Sequence, residues 1–404
     1  MSSMDHFPII QALCRAAVPN ASPAVRKQIE RLRDALKNGG DSKQAAALTT
    51  ILNNAERSRE IAPSRIERSK ALVSGEDLSR NTPLPVDRET AAPLAEIIFP
   101  DATDENAPIF DERISNAIES VVDEWSNIEA LFEVGVHPSL TCLIYGAPGT
   151  GKTRLALWMA RRLDLPVVLV RLDGLVSSFL GTTARNIGNL FTFANRFKCM
   201  LLLDEFDAIA KLRDDPQEVG EIKRVVNALL QNLDSRRGVG LTIGITNHPN
   251  LLDPAVWRRF EVQLEIPRPE FDVRKAIAES FSAPVIIPDS HLRLIAWFTE
   301  GATGAEIETL VRTYKKATAV RDGQARELLD TLRQFATLNA ARVHSERREL
   351  LFGGTGRLFR ALRDDRSVNL SMSDIGEIAG KDKSTVSRQI GKIEEDQEDD
   401  SING

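Results

Sequence analysis

Five short apolar runs cross the middle of the chain, at residues 141–145, 166–172, 199–203, 240–246 and 262–266, and the segments between them carry apolar residues at helical spacing. Runs this short, bounded by polar or turn residues, read as strands buried on both faces. Their alternation with helical segments predicts an α/β fold, with a mainly parallel sheet, helices on both faces and right-handed crossovers. Ahead of the first run, Ile114, Ile118, Val121, Val122 and Trp125 mark one face of a helix. Beyond the last run, from Phe271 to about Phe335, the spacing is helical only.

The flanks read differently. Residues 1–60 contain a small helical unit: Pro23 opens a helix after Ser22, Gly39-Gly40 ends it, and Asp41-Ser42 caps a second helix carrying Ala46, Leu48 and Leu52. A unit of this size is no enzyme by itself, and both docking of a partner and packing on the rest of the chain stay open for it. Across residues 61–108, Pro63, Pro83, Pro85, Pro93, Pro100 and Pro108 punctuate a linker or extended arm. Its most apolar part is Leu94–Phe99.

The loop Gly146-Ala147-Pro148-Gly149-Thr150-Gly151-Lys152-Thr153 sits between the strand-like run 141–145 and a helical stretch. Strand, glycine loop and helix in that order form an anion trap. Backbone N–H groups and the helix N-terminus converge on phosphates, Lys152 reaches the terminal ones, and Thr153 can place its hydroxyl on Mg²⁺. Downstream, Met200–Leu203 run straight into Asp204-Glu205. Carboxylates at the end of a core strand are costly unless they meet a cation or a reacting group. Asp204 suits the Mg²⁺ shell, and Glu205 suits the base that polarises the attacking water. The run 240–246 ends at Asn247, which can orient that water, and Arg258-Arg259 follow the turn Asp253-Pro254-Ala255.

In this order the motifs resemble the AAA family of ATPases within the AAA+ P-loop NTPases, over about residues 110–320. The resemblance implies a parallel-sheet ATPase subdomain at 109–270 and a helical lid at 271–335, with ATP and Mg²⁺ as cofactors. It implies that Asn247 is a sensor of the nucleotide. It also implies that Arg258 and Arg259 reach the nucleotide of a neighbouring subunit in a ring, a homohexamer; the pair does not tell which is the main finger. Gly304 and Ala305, opening a lid helix, would let backbone approach the adenosine, and Leu94–Phe99 would cover the adenine side, where the family's ring has an N-terminal strand or loop. Phe179-Leu180-Gly181 is similar to the family's pore loop, in which aromatic grips hold a protein substrate; local packing of Phe179 under the sheet is the alternative. Ser178 departs from the basic residue that relatives often carry there. The whole chain is also similar to bacterial AAA proteins found beside subtilisin-like proteases, which makes such a protease a candidate partner.

Residues 336–393 follow the lid. A basic, helix-compatible stretch at 322–352 stops at Gly353-Gly354. Leu370–Gly380 reads as a capped short helix ending in Gly380, and Ser384–Ile393 as a second helix with Ser384 as N-cap. The spacing of Gly376, Gly380 and Val386 resembles the helix-turn-helix of bacterial regulators. That makes Thr385, Ser387, Arg388 and Gln389 candidate DNA contacts. A helical hairpin for protein contact is the other reading, since basic residues are few and an acidic tail, 394–404, would repel phosphates.

Composition adds limits. With 52 Lys and Arg against 58 Asp and Glu, the net charge is -6, which argues against global, charge-driven nucleic-acid binding but not a local basic site. Cys14, Cys142 and Cys199 lack disulfide-framework or zinc spacing, so buried thiols in a reducing cytoplasm are expected. No stretch approaches the roughly 18 apolar residues of a membrane span, and the N-terminus lacks a basic region followed by an apolar run. The five histidines are scattered and suggest no metal site.

Overall fold

Cys142 and Ile144 belong to one core and Leu143, between them, to another, and Met200/Leu202 and Leu201/Leu203 divide in the same way. This period-two split is what a strand buried on both faces requires. The structure is a computed structural model. It describes residues 23–39, 41, 43–51, 75–87, 89–103, 106–172, 180–208, 219–236, 240–320 and 328–402, with Phe7, Ile10, Gln11 and Cys14. The chain divides into two compact units, Met1–Lys70 and Ala71–Gly404.

In the first unit, α1 (Pro23–Asn38) and a helix at 43–51, α2, share a small core of Phe7, Cys14, Ile29, Leu36, Ala45, Leu48 and Ile51.

The second unit is built on eight described strands: β1 (Glu76–Asp77), β2 (Glu96–Ile98), β3 (Thr141–Tyr145), β4 (Val167–Arg171), β5 (Phe197–Lys198), β6 (Met200–Asp204), β7 (Thr242–Thr246) and β8 (Val262–Glu265). Six of them form one sheet in the order β2-β4-β6-β7-β3-β8, all parallel except β2 against β4. β1 and β5 form a separate parallel pair.

The five apolar runs are the five parallel strands. The sixth is an addition. Leu94–Phe99, expected on the adenine side of a nucleotide, instead gives β2 on the sheet edge opposite β8. Leu94 sinks into the core that holds Ile187, Leu190 and Phe191, and antiparallel pairing with β4 covers an edge that would otherwise stand open.

On one face of the sheet, α3 (Glu112–Ser126) buries Ile114, Ile118, Val122 and Trp125, with Val121 half-buried. The Asp111 carboxylate caps this helix by accepting from the Ile114 N–H at 2.9 Å, a contact worth about 1 kcal/mol. After α4 (Ile128–Glu133), α5 (Lys152–Arg162) packs on the same face. The other face is covered by α6 (Leu180–Arg196) and α7 (Val219–Arg236). There Phe260, just after the short α8 (Pro254–Trp257), presses on Gly244 so closely that a Cβ would lie 2.7 Å from its ring.

The helical-only segment yields α9 (Phe271–Ser282), α10 (Asp289–Phe298), α11 (Gly304–Val320) and α12 (Leu328–Leu338). Beyond them come α13 (Ser345–Phe352), α14 (Thr355–Asp364), α15 (Met372–Ala379) and α16 (Lys383–Ile402). Within the basic stretch at 322–352, a 3-10 turn at Ala340–Arg342 separates α12 from α13. One continuous core runs from Ile277 in α9 to Val386 and Ile390 in α16. Polar ties reinforce it. Trp297 Nε1 donates to Asp365 Oδ2 at 3.0 Å, Ser290 Oγ to Glu377 Oε2 at 2.7 Å, and the Arg347 guanidinium stacks 4.1 Å from the Trp297 ring centre.

Candidate active site

The loop after β3 turns sharply because glycine permits it. Gly146 has φ 148°, and a Cβ there would lie 2.2 Å from the Ile266 carbonyl oxygen. Gly149 has φ 78° and sits against the start of α11, where a Cβ would meet Thr303 Oγ1 at 2.9 Å. The Ala305 N–H donates to the Gly149 carbonyl at 3.1 Å, so the first turn of α11 is fastened to the loop. Gly151 caps α5 without a side-chain acceptor, which leaves the helix N-terminal N–H groups for an anion.

These residues wall a cavity of about 380 Å³. Residues 148–153 line one side, Asp204, Glu205 and Asn247 another, and Gly304, Ala305 and Glu308 a third. Ile109, Phe110, Ile277 and Phe281 make an apolar end that suits a flat base. The cavity lies where β3, β6 and β7 end at their carboxyl sides, and β3 lies between β7 and β8, the position where open parallel sheets bind ligands.

Lys152 is buried. Its ammonium donates to the Gly146 and Ala147 carbonyls at 2.9 and 2.8 Å. Burial pushes its pKa down to about 8, against the opposing pull of Asp204 and Asp207. Thr153 Oγ1 donates to Asp204 Oδ2 at 3.0 Å, and Asp204 Oδ1 accepts from the Glu205 N–H at 2.8 Å. A hydroxyl beside a carboxylate is a hard-oxygen donor pair of the kind Mg²⁺ takes when it travels with a polyphosphate. Glu205 holds φ 56°, left-handed for a residue with a side chain, a local cost of about 1–3 kcal/mol that recurs at functional turns.

Of the sequence candidates, residues 148–153, Asp204, Glu205, Asn247, Gly304 and Ala305 all line this cavity. Gly146 and Ala147 enter through their bonds to Lys152. Arg258 and Arg259 do not reach the cavity of their own chain. Arg258 is exposed, whereas Arg259 donates to the Ala255 carbonyl at 2.9 Å and pairs with Asp234 at 3.3 Å.

Sequence reasoning missed Ile277, Phe281 and Glu308, and two further contributors. Pro108, Ile109 and Phe110 line the cavity; an apolar pair directly before the Asp111 cap was the available signal. Asp207 is buried and bonds the end of β7, and only its closeness to Glu205 in the chain hinted at a role.

Residues 142–268 match the model of the ATPase family associated with various cellular activities (AAA). Proteasome-activating nucleotidase 2 of Haloferax volcanii is 31% identical over 285 residues, covering 67% of this chain and 69% of that protein. The chain belongs to the AAA family of ATPases. An uncharacterized AAA family ATPase, y4kL, of Sinorhizobium fredii is 40% identical over 182 residues, 45% of this chain and 55% of the relative. The proteasome-activating nucleotidase of Pyrococcus abyssi is 35% identical over 189 residues, 45% of this chain and 48% of the relative. Against these last two, the AAA chain spans about half the relative's length. Among solved structures, the one titled "Crystal structure of FIGL-1 AAA domain" superposes with TM-score 0.48 at 20% identity, over 61% of this chain and 92% of that one.

Outside the ATPase cavity, Phe179 lies beyond the described residues, and Leu180 is the first residue of α6. In the C-terminal pair, Ser371 and Asp374 form a reciprocal capping box at α15, and Gly380 ends that helix in the left-handed region, as its sequence suggests. The cap of α16 is corrected. Helix begins at Lys383, and Asp382, not Ser384, accepts from the Ser384 hydroxyl and the Thr385 N–H at 2.6 and 2.8 Å. Those bonds hold the Asp382 carboxyl down at about 2. A carboxylate is the stronger acceptor for a helix start, so Ser384 becomes its donor. Ser387 and Arg388 are exposed, while Thr385 and Gln389 are half-buried. The helix continues through the acidic segment to Ile402.

Proposed function

We propose that this AAA chain hydrolyses ATP in a ring, a homohexamer, and couples turnover to remodelling or threading a protein substrate. The convergence of Lys152, Thr153, Asp204, Glu205 and Asn247 on one cavity carries this reading. Glycine-loop N–H groups and Lys152 bind the β- and γ-phosphates. Thr153 and Asp204 would hold Mg²⁺, which when bound neutralises phosphate charge. Glu205 accepts a proton from water as that water attacks the γ-phosphorus, Asn247 orients it, and the bond to ADP breaks. Arg258 and Arg259 together are assigned as the fingers to the neighbour's nucleotide.

The protein-substrate part draws support from relatives named proteasome-activating nucleotidases. Phe179 and Leu180 are its grips, and a subtilisin-like protease is a candidate downstream partner. No helix among the described residues is long and apolar enough to cross a membrane, and the reading places the chain in the cytoplasm. Two experiments test it. Arg258→Ala combined with Arg259→Ala should lose ATPase activity yet regain part of it when mixed with Lys152→Ala chains, because each then supplies what the other lacks at a shared site. Phe179→Ala should keep ATPase activity and lose unfolding of a tagged substrate.

A second reading, DNA association, draws on the exposed Lys381, Lys383 and Arg388 around the start of α16. Because α15 and α16 share a core with the lid, the full chain is the right sample. Duplex binding that weakens with salt, falls in Arg388→Ala and rises on removal of residues 394–404 would favour it.

A further inference from the structure

The ends of β6 and β7 are stitched together by a residue that neither binds phosphate nor faces water. Asp207 follows Glu205 by two positions and is only 3% exposed. Its Oδ1 accepts from the Thr246 hydroxyl at 3.2 Å and from the Asn247 backbone N–H at 3.3 Å. The same Thr246 oxygen accepts from the His248 N–H at 3.1 Å, so one hydroxyl passes the constraint on to the next turn. Opposite, the left-handed backbone of Glu205 is held by two bonds: Phe206 N–H to the Ile245 carbonyl, and Ala208 N–H to the Glu205 carbonyl, both at 2.9 Å. Residues 204–208 and 245–248 thus form one bonded unit, with a buried carboxylate as its hub.

We infer that Asp207 is a positioning residue that holds Asn247 in register with Glu205, an inference resting on the hydrolytic reading above. A carboxylate taken out of water costs several kcal/mol unless its neighbours repay it. A neutral Asn or Thr could tie two strands without that cost. What the carboxylate adds is a charged acceptor for a backbone N–H, which binds more strongly than a neutral one. That bond fixes the residue whose side chain meets the water, not a residue remote from it. Displacing Asn247 relative to Glu205 breaks no bond of the phosphate loop, so the larger effect falls on the chemical step, while loss of the Asp207 charge, which favours charged Lys152, weakens ATP binding only slightly.

The test uses the full chain with Asp207→Ala, Asp207→Asn and Thr246→Val, measuring steady-state ATPase kinetics and thermal unfolding. Asp207→Ala is expected to lower kcat by roughly 10–100-fold, the scale of a misplacement near 1 Å, while KM for ATP stays within about threefold. Asp207→Asn keeps an acceptor oxygen without the charge and should fall between Asp207→Ala and the parent chain, as should Thr246→Val, which removes only the hydroxyl's bond. The inference is overturned if KM rises with kcat unchanged, or if Asn and Ala are equally impaired at temperatures where both are folded. If Glu205→Gln turns over as fast as the parent chain, the hydrolytic reading itself fails, and the Asp207 series is not needed to see it.

Discussion

Thr153 Oγ1 donates to Asp204 Oδ2 across 3.0 Å, which joins the end of the glycine loop to the end of a strand two places away in the sheet. The two oxygens proposed to hold Mg²⁺ therefore stand side by side. Thr153→Val keeps the side-chain shape and removes one donor. The Mg²⁺ concentration giving half-maximal ATPase activity should rise by about tenfold, the effect of losing roughly 1.4 kcal/mol of binding. A magnesium titration at fixed ATP checks it.

Lys152 gives a pH dependence with a definite sign. Burial sets its pKa near 8 in the free protein, so the ammonium is charged below that pH and neutral above it. Phosphate favours the charged form, and the bound pKa is higher. ATP affinity should be flat below pH 8 and fall above it, by up to about tenfold per pH unit until the bound pKa is reached. Titrations with a fluorescent ATP analogue between pH 6.5 and 9.5 measure this, and Lys152→Arg should flatten the profile.

Gly146→Ala should be poorly tolerated. Its φ of 148° and the 2.2 Å approach to the Ile266 carbonyl leave no room for a methyl group. A loss of about 2 kcal/mol or more is expected from the backbone conformation alone. Thermal unfolding of the variant reads it directly.

How far the sequence foretold all this depends on how local each signal was. Apolar runs and the residues 146–153 carry their own signatures, because a strand buried on both faces and a phosphate loop each constrain neighbouring residues. Leu94–Phe99 was apolar but its expected place was wrong, since only the antiparallel register with Val167–Leu169 tells where it goes. Asp207 stayed silent for the same reason: its partners, Thr246 and Asn247, lie on another strand. At α16 two good capping residues, Asp382 and Ser384, compete within three positions, and the sequence alone does not rank them. The Arg259–Asp234 pair is likewise a product of tertiary packing.

Arg236 is a buried cation whose side-chain bonds go to neutral groups: Thr242 Oγ1 at 3.0 Å, Asn195 Oδ1 at 2.8 Å and the Cys199 carbonyl at 3.0 Å. Burial lowers its pKa from the usual guanidinium value. It ties the end of α7 to α6, to the start of β7 and to the residue before β6, far from the cavity. Arg236→Ala should destabilise the chain by about 3 kcal/mol by leaving buried acceptors unpaired. Where the variant is still folded, KM for ATP should be unchanged. Denaturant unfolding together with ATPase kinetics separates the two effects.

Glu205 is proposed as the base of an ATP-hydrolysing site whose binding machinery does not depend on it. Glu205→Gln keeps size and hydrogen bonding and removes the basic carboxylate. Paired measurement of ATP affinity and single-turnover hydrolysis is the most direct test. The account predicts affinity within about threefold of the parent chain and a hydrolysis rate lower by roughly 10²–10⁴-fold. Hydrolysis at the parent rate, or loss of ATP binding in a folded variant, would contradict it.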